Sequence, residues 1–309
     1  MNKVYKLIII GSGPAGFTAG IYSGRAELKP LLFAGEKQGG QLINTALVEN
    51  WPGAEKGIMG SDLMMEMRKQ AERFGVEIID KKVSKVDFSQ RPFKVWVNEE
   101  EYSAEAVIIA AGAENKMLGV PGEQELLGKG VAVCAVCDAP FYKNKKVVVV
   151  GGGDSAVEDA LALTKYADKV MMVVRRDVLR ASKIMTGRVK NNPKIEILWN
   201  SELKEVKGES KVEEVKIVNN KSGKEEELTV DGVFLAIGHK PSTEIFKGQL
   251  ELDEKGYIKT SESGTMTSVE GVFAAGDVVD SRYKQAITAA GMGCMAALDA
   301  ERWLEGRNA

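Results

Sequence analysis

Histidine and cysteine are scarce in this chain, whose 309 residues include one histidine and three cysteines. A zinc site normally needs four such ligands at tight spacing. Besides Cys134 and Cys137 the sequence offers only Cys294 and His239, so a second ligand cluster is missing and no metal site is expected. With a single histidine, a catalytic thiol also needs another residue as its proton donor or acceptor.

An excess of charge and long apolar runs are lacking as well. The formal net charge is −2, which leaves no surplus of basic side chains to hold a nucleic acid. No apolar run reaches the roughly 18 residues of a transmembrane helix, and the apolar run 7–10 is too short for a signal peptide. We therefore expect neither nucleic acid nor membrane binding, and a reducing cytoplasm, where a C-x-x-C pair is more often catalytic than structural.

Two stretches of the chain share one order of elements. The first has an apolar strand over 4–10, a glycine turn, a helix to about residue 26 and a strand over 30–34. The second has a strand over 146–150, a glycine turn, a helix over about 154–166 and a strand over 169–174. Such a repeat, in a chain long enough for about two domains, predicts two related nucleotide-binding domains.

Short strands follow each copy. The first has strand-like runs that suggest an antiparallel meander, at 76–79, 83–88 and 93–97, and an apolar strand at 107–111. The second has runs at 203–207, 212–218 and 226–230, a turn at Ser222-Gly223, and a strand at 233–237. Residues 35–60 are read as a long functional loop, and Ser61-Asp62 as the cap of a helix.

The rest of the chain is too short for a third domain. Only a strand over 271–275 and a helix from about 283 to 303 follow Pro241. We expect these elements to complete the first domain. The predicted fold class is α/β, with two Rossmann-like, three-layer (ββα) domains, the second inserted into the first. The boundaries are 1–115 with 243–309, and 116–242.

The two glycine turns carry the nucleotide chemistry. The stretches 11–16 and 151–156 each follow a predicted strand and open a helix, which is the context that a G-x-G-x-x-G motif requires. Glycine permits a tight turn and a close approach of the pyrophosphate to the helix N-terminus. The alternative is a pair of purely structural turns.

The residues after each turn differ. Glu36 lies 23 positions after Gly13, where an acid can bind a ribose hydroxyl, although an exposed loop charge is the alternative. The second copy instead has a basic cluster, formed by Arg175, Arg176 and Arg180. Guanidinium groups suit a phosphate and favour NADP over NAD, unless the cluster is only a solvated basic surface. Asp177 keeps NADH use open.

Cys134 and Cys137 form a C-x-x-C pair that we interpret as redox-active. Asp138 follows directly and is the best local proton donor, with an N-cap as its alternative or additional role. Cys294 is read as a small buried hydrophobe, and His239 as an exposed loop residue rather than a catalytic base.

Along essentially its whole length the sequence resembles the low-molecular-weight, bacterial-type thioredoxin reductases, which are class II pyridine nucleotide-disulfide oxidoreductases. The resemblance rests on the two glycine turns, the C-x-x-C-D stretch and the arginine cluster. It rests further on Gly39-Gly40-Gln41-Leu42, Glu49-Asn50-Trp51-Pro52-Gly53, Gly276-Asp277-Val278 and the stretch 285–291.

This resemblance implies that the discontinuous domain binds FAD, through Gly11, Ser12, Gly13, Pro14, Ala15, Glu36, Gly40, Gln41, Leu42, Asn50, Val83, Ala111, Gly112, Gly276, Asp277, Gln285, Ala286 and Ile287. It implies that the inserted domain binds NADPH, through Gly151, Gly153, Asp154, Ser155, Arg175, Arg176, Arg180, Ile237 and Gly238. It also implies that Cys137 faces the flavin, Cys134 attacks thioredoxin and Asp138 is the acid. The family further implies a homodimer.

Three departures from the family pattern stand out. Ala135-Val136 separates the cysteines where Ala-Thr is usual, and Ala139-Pro140 follows Asp138 in place of glycine. The histidine that usually precedes the two arginines is absent. We expect the first two to affect the disulfide's potential or loop geometry, and the third to weaken NADPH affinity.

The predicted reaction passes electrons from NADPH through FAD to the Cys134–Cys137 disulfide and on to thioredoxin. Because the cysteines and the NADPH turn share one domain, we expect a hinge rotation about the connections near 112–122 and 238–247. Three alternatives stay open: reduction of a peroxiredoxin or glutaredoxin-like partner, a flavin oxidase that uses oxygen, and a non-enzymatic flavin redox sensor.

Overall fold

The computed structural model of the chain describes residues 3–36, 38–45, 47–262 and 264–308. Its strands in chain order are β1 (Val4–Ile10), β2 (Leu31–Phe33), β3 (Leu47–Val48), β4 (Ile58–Met59), β5 (Glu77–Ile79), β6 (Lys85–Asp87), β7 (Phe93–Val97), β8 (Glu100–Ile109), β9 (Ala113–Asn115), β10 (Val131–Ala132), β11 (Lys146–Val150), β12 (Lys169–Val174), β13 (Ile195–Trp199), β14 (Ser201–Lys207), β15 (Glu214–Asn219), β16 (Glu225–Thr229), β17 (Gly232–Leu235), β18 (His239–Pro241) and β19 (Val272–Ala274). Its helices are α1 (Pro14–Arg25), α2 (Gly60–Arg73), α3 (Ala135–Asp138), α4 (Asp154–Leu163), α5 (Lys183–Lys190) and α6 (Ala286–Asn308). Short 3-10 turns cover Gly40–Asn44, Ala139–Tyr142, Glu244–Phe246 and Gly276–Val278.

The chain divides into two compact units. Unit 1 comprises Met1–Glu114 and Lys240–Ala309, and unit 2 comprises Asn115–His239. Strands β9 and β18, where the chain passes from one unit to the other, pair in a small sheet of their own. Among the helices described, none has the length and apolar character needed to cross a membrane.

The sheet of unit 1 has parallel strands at its centre, and both faces of these strands are buried. Its order is β5-β2-β1-β8-β7-β6, and β19 also pairs with β8. Leu7 and Ile9 pack into the core shared with α1, α2 and α6, whereas Ile8 and Ile10 pack on the opposite face. The continuous apolar run 7–10 in β1 is therefore that of a parallel strand covered on both sides.

Unit 2 repeats this arrangement in smaller form. Its parallel sheet has the order β10-β17-β11-β12-β13, and β14, β15 and β16 form an antiparallel sheet. Val147 and Val149 belong to the core that contains residues of α4. Val148 and Val150 belong to the core shared with the antiparallel sheet. The three-layer prediction is confirmed: helices cover one face of the parallel sheet and a small antiparallel sheet covers the other.

Several predictions about single elements were wrong. Ser61 and Asp62 lie inside α2, whose N-cap is Met59 without a side-chain cap bond. The predicted meander holds only from β6 onwards, because β5 pairs in parallel with β2. The expected loop 35–60 contains a 3-10 turn and the β3–β4 pair.

The terminal strand of the first repeat is also longer and shifted, since β8 begins at Glu100 and ends at Ile109. Among the elements of unit 2, β10, α3, α5 and β13 were not predicted at all. The α5 segment is mostly polar or exposed, and only Val189 in it is buried. It therefore lacks the apolar stripe from which a helix is recognised in a sequence.

Candidate functional site

The three glycines of the turn in unit 1 serve two purposes. Gly11 has φ +112°, and a Cβ there would lie 2.2 Å from the carbonyl oxygen of Ala110. A Cβ at Gly16 would lie 1.9 Å from the carbonyl oxygen of Gly11. Nothing stands within 4 Å of the Cβ position at Gly13. The outer two glycines are thus needed for packing, and the middle one leaves an open approach for a ligand.

The N-terminus of α1 is available to an anion. Gly13 is its N-cap, Pro14 occupies the first turn, and no side chain caps the helix and no acidic residue lies in its first turn. The Ser12 hydroxyl is buried; it donates to the carbonyl of Ala34 at 2.6 Å and accepts from the N–H of Gly39 at 2.9 Å. Ser12 therefore fixes the loop that follows β2 beside the turn, and the positive end of the α1 dipole suits an anionic group there.

Asp277 is a second polar group that a cofactor in unit 1 could contact. It lies half-buried on the 3-10 turn Gly276–Val278, directly after β19. Burial, assisted by the neighbouring Asp280, raises the pKa of Asp277 to about 6. No donor among the described residues hydrogen-bonds to this carboxylate. A ligand hydroxyl would satisfy it, and Gly11, Gly13 and Asp277 together fit a dinucleotide whose sugar hydroxyls reach the end of β19.

Other predicted flavin residues come together from distant parts of the chain. Asn50 Nδ2 donates to Gln285 Oε1 at 3.4 Å, and Gln41 Nε2 donates to the carbonyl of Ala113 at 3.5 Å. The remaining ones lie at strand ends, turns or the start of α6, with Glu36, Gly40 and Ile287 exposed, Ala15 and Val83 buried and Leu42, Ala111, Gly112 and Ala286 half-buried. Val83 belongs to the core on the face opposite the helices.

The glycine turn of unit 2 has the same plan with one replacement. Gly151 has φ +145°, and a Cβ there would lie 2.5 Å from the carbonyl oxygen of Ala236. Gly153 is the N-cap of α4 and has nothing within 4 Å of its Cβ position. Ala156 stands where unit 1 has its third glycine, fully buried. The open middle position is therefore present in both units.

The basic cluster lies beside this second turn. The N–H of Arg180 donates to the carbonyl of Gly152 at 2.7 Å, which ties the arginine loop to the turn. The N–H of Ser182 donates to Asp154 Oδ1 at 2.9 Å. The side chains of Arg175, Arg176 and Arg180 are exposed, and within the described ranges none of them forms an ion pair. Ser155 is also exposed, whereas Ile237 and Gly238, which follow β17, are half-buried.

The two cysteines of the C-x-x-C pair are joined. Cys134 and Cys137 form a disulfide with an S–S distance of 2.16 Å and a Cα–Cα distance of 5.3 Å. Cys134 is the N-cap of α3, and its Sγ accepts the N–H of Cys137 at 3.3 Å. Val136, between them, is 67% exposed. The short helix α3 thus places the disulfide ring at the surface, together with the exposed apolar side chain of Val136.

Asp138 follows the disulfide in a half-buried position, and burial raises its pKa to about 6. Asp138 does occupy the N-cap position of the 3-10 turn Ala139–Tyr142, as the alternative interpretation had it, but its side chain makes no cap bond there. Tyr142 was not singled out from the sequence. Burial, together with the Asp138 and Asp231 carboxylates, raises the pKa of Tyr142 to about 12. Asp138 therefore titrates near neutral pH, while Tyr142 stays protonated beside it.

The other cysteine and the histidine differ from expectation. Cys294 is half-buried on α6, and a hydrogen bond with its thiol raises the pKa of Tyr22. It is therefore not a fully buried hydrophobe. His239 begins strand β18 and is half-buried, so it is not an exposed loop residue. Neither residue belongs to the disulfide or to a glycine turn.

Comparison with known proteins agrees with this arrangement. A family model described as pyridine nucleotide-disulphide oxidoreductase matches residues 5–293. Thioredoxin reductase of Dictyostelium discoideum is 54% identical, with 98% of each chain covered. Thioredoxin reductase of Mycolicibacterium smegmatis is 51% identical, with 98% of this chain and 97% of that protein covered. The crystal structure of thioredoxin reductase from Streptococcus pyogenes MGAS5005 matches with a TM-score of 0.94 at 41% identity, over 99% of this chain and 100% of that one. The chain belongs to the pyridine nucleotide-disulphide oxidoreductase family and, within it, to the low-molecular-weight thioredoxin reductases.

Proposed function

We propose that this protein reduces oxidised thioredoxin with electrons from NADPH, with FAD held by unit 1 and NADPH by unit 2. The observation that carries the proposal is the Cys134–Cys137 disulfide, which lies in the same unit as a glycine turn flanked by unpaired arginines. Full-length relatives named thioredoxin reductase support the choice of partner.

The residues present fit both cofactors. In unit 1 the open side of Gly13 and the uncapped start of α1 suit a pyrophosphate, and Asp277 suits a cofactor hydroxyl. In unit 2 the open side of Gly153 suits the second pyrophosphate, and the three arginines suit a 2′-phosphate. When bound, these cofactors supply the hydride and two-electron chemistry that protein side chains lack.

The cysteines carry the electrons onward. Reduction of the Cys134–Cys137 disulfide consumes two electrons and two protons and leaves two thiol groups. The Cys134 thiolate attacks one sulfur of the partner's disulfide and forms a mixed disulfide. The Cys137 thiolate then displaces the partner's sulfur and restores the original ring. The N–H of Cys137 donates to Cys134 Sγ. This hydrogen bond favours the thiolate form of Cys134 and supports the role of Cys134 as the attacking thiol.

Asp138 supplies the proton that this exchange requires. Its pKa of about 6 lets it hold a proton just below neutral pH and give it up above that range. Exposed apolar side chains at Val136 and Phe141 flank the disulfide. Such a rim suits a protein substrate, since apolar and aromatic side chains are favoured at interfaces.

We also infer that one unit rotates against the other about the segments of β9 and β18. The disulfide and the NADPH turn belong to unit 2 and both serve a flavin in unit 1, so they must reach it in turn. A single conformation in which both groups touch the flavin equally would contradict this motion.

A homodimer and a cytoplasmic location complete the proposal. Tyr22 on α1 and Met295 on α6 are 43% and 47% exposed, which is apolar surface that a second copy would cover. A reducing compartment suits a disulfide that must be opened in every cycle. Sedimentation of the purified protein at twice its 33.5 kDa chain mass is the result expected.

The decisive experiment is an assay with the flavin-loaded enzyme, a thioredoxin, a chromogenic disulfide reagent and either NADPH or NADH. We expect thioredoxin-dependent turnover with NADPH, its loss in Cys134→Ser, and its retention in Cys294→Ser. Failure with both nucleotides would overturn the proposal. Turnover with a peroxiredoxin or a glutaredoxin-like protein in place of thioredoxin would change the partner, and oxygen consumption that survives Cys134→Ser would indicate an oxidase.

A further inference from the structure

The turn between β15 and β16 is attached to the loop that carries the arginines. Asn220 Nδ2 donates to the carbonyl of Arg175 at 2.8 Å. The N–H of Asn220 donates to the carbonyl of Asn200 at 2.7 Å, and the N–H of Asn200 donates to the carbonyl of Arg176 at 3.2 Å. The hairpin turn is thus attached to the loop after β12 by one direct hydrogen bond and, through Asn200, by two further ones in series.

Lys221 is the next residue of this turn, and it forms an ion pair with Asp177. Its Nζ lies 2.9 Å from Asp177 Oδ2, and this hydrogen bond lowers the pKa of Asp177. Both side chains are well exposed, so the pair adds little to folding stability. One other carboxylate is near, since Glu202 Oε1 accepts from Asn220 Nδ2 at 3.1 Å.

Asp177 is the one acidic residue within the arginine loop 175–180. An unpaired carboxylate there would repel a 2′-phosphate and would accept the 2′-hydroxyl of NADH instead. Lys221 offsets this charge and brings a further cation to the same place. The three arginines, by contrast, form no ion pair among the residues that the structure describes.

We propose that Lys221 is a specificity-determining residue that favours NADPH over NADH by neutralising Asp177. The inference rests on the proposal that unit 2 binds NADPH. The selection between the two nucleotides then depends on a pair of charges: Asp177 in the loop after β12, and Lys221 in a hairpin turn 44 residues later. Lys221 also adds a fourth basic side chain to the cluster formed by Arg175, Arg176 and Arg180.

The test compares Lys221→Ala, Asp177→Asn and the double variant, with Lys224→Ala as the matched control. Lys224 lies in the same exposed turn and forms no ion pair within the described ranges. Two quantities are measured: KM and kcat for NADPH and for NADH, and the Kd of 2′,5′-ADP, which carries the 2′-phosphate without a nicotinamide.

We expect Lys221→Ala to raise KM for NADPH and the Kd of 2′,5′-ADP about fivefold, as for one lost charge contact near a surface. KM for NADH should fall, because the Asp177 carboxylate freed from Lys221 can accept the 2′-hydroxyl of that nucleotide, and the double variant should recover most of the loss for NADPH. An equal change for both nucleotides, the same effect from Lys224→Ala, or no recovery in the double variant would overturn the proposal. If the wild-type enzyme used neither nucleotide, the proposed function would fail, and the 2′,5′-ADP measurement would still decide the role of Lys221.

Discussion

At the scale of single residues, Asp138 has a protonation state that depends on its surroundings. Because its pKa is raised from 3.8 to about 6, the folded protein binds this proton more tightly than the unfolded chain. The free energy of unfolding therefore falls as the pH rises through that interval. Keeping the carboxylate ionised at this place costs at most about 3 kcal/mol.

We expect Asp138→Asn to be as stable as the wild type, or slightly less, at about pH 4 and more stable at about pH 7. Asparagine has no charge to desolvate, so it escapes the penalty that the wild type incurs above its pKa. Urea denaturation at several pH values measures the difference. Asp168→Asn, at an exposed carboxylate in the same unit, provides a comparison, and a pH-independent difference for Asp138→Asn would contradict the assignment.

The same substitution should slow thioredoxin reduction, because asparagine cannot donate the proton that the departing thiolate needs. A loss of about 10²-fold or more in kcat is typical of a removed general acid. Rapid-reaction measurements should locate the loss after the disulfide has been reduced. A wild-type rate of thiol–disulfide exchange would show that another group supplies the proton.

Alanine substitutions at Gly13 and Gly16 should have opposite effects, although both residues belong to one motif. In Gly13→Ala the new methyl group meets open space, so the fold should persist while the flavin content of the purified protein drops. In Gly16→Ala it would stand 1.9 Å from a backbone oxygen, so the protein itself should be destabilised. Flavin absorbance and thermal unfolding separate the two results. A flavin-loaded Gly13→Ala enzyme would contradict the proposed approach of the cofactor.

The sequence was informative for residues whose chemistry depends on spacing. The cysteine pair and both glycine turns needed only their local order to be recognised. The raised pKa of Asp138 depends on burial, and the Asp177–Lys221 pair joins residues from two different sheets. Neither the burial of Asp138 nor the contact between Asp177 and Lys221 leaves a pattern in a short stretch of sequence, so both were found only in the structure.

At the scale of single elements, Glu123 shapes the segment by which the chain enters unit 2. Its side chain is 2% exposed, and its two carboxylate oxygens each accept an N–H, from Leu118 and Gly119, at 2.8 Å. One buried side chain thus satisfies the backbone of a segment that has no helix or strand hydrogen bonds of its own. These two hydrogen bonds limit bending within residues 118–123.

We expect Glu123→Gln to lower the free energy of unfolding by about 1–3 kcal/mol, because an amide can accept only one of the two N–H groups. Its NH₂ group would face the other N–H as an unsatisfied donor. Chemical denaturation measures the loss, and Glu125→Gln, on an exposed neighbour, should show no change. Equal stability of the two variants would remove Glu123 from this role.

Elements with an unambiguous pattern were predicted well. The bounds of β1, β11 and β12 match the predicted strands, since each is a continuous apolar run that ends at a glycine turn or a charged cluster. The pairing partner of β5 was not predictable, because a short strand of three residues fits a parallel or an antiparallel neighbour equally well.

At the scale of the whole molecule, unit 2 is continuous in sequence and contains its own two cores. We expect residues 115–239, produced alone, to fold and to bind 2′,5′-ADP without binding flavin. Circular dichroism and calorimetry provide the measurements. An unfolded fragment would show that unit 2 depends on unit 1 for stability, and a fragment that retained FAD would contradict the division of cofactors between the units.

Unit 1, by contrast, is discontinuous in sequence, and this determines the order in which the two units can fold during synthesis on the ribosome. Strand β8 gains its partner β19 only when residues 272–274 have been made, and α1 packs against α6, at the end of the chain. Unit 2 is synthesised completely before either arrives. Since domains fold as units while the chain emerges, we expect the second half of the sequence to close the first, and the flavin proposed for unit 1 to bind only after nearly the whole polypeptide has been made.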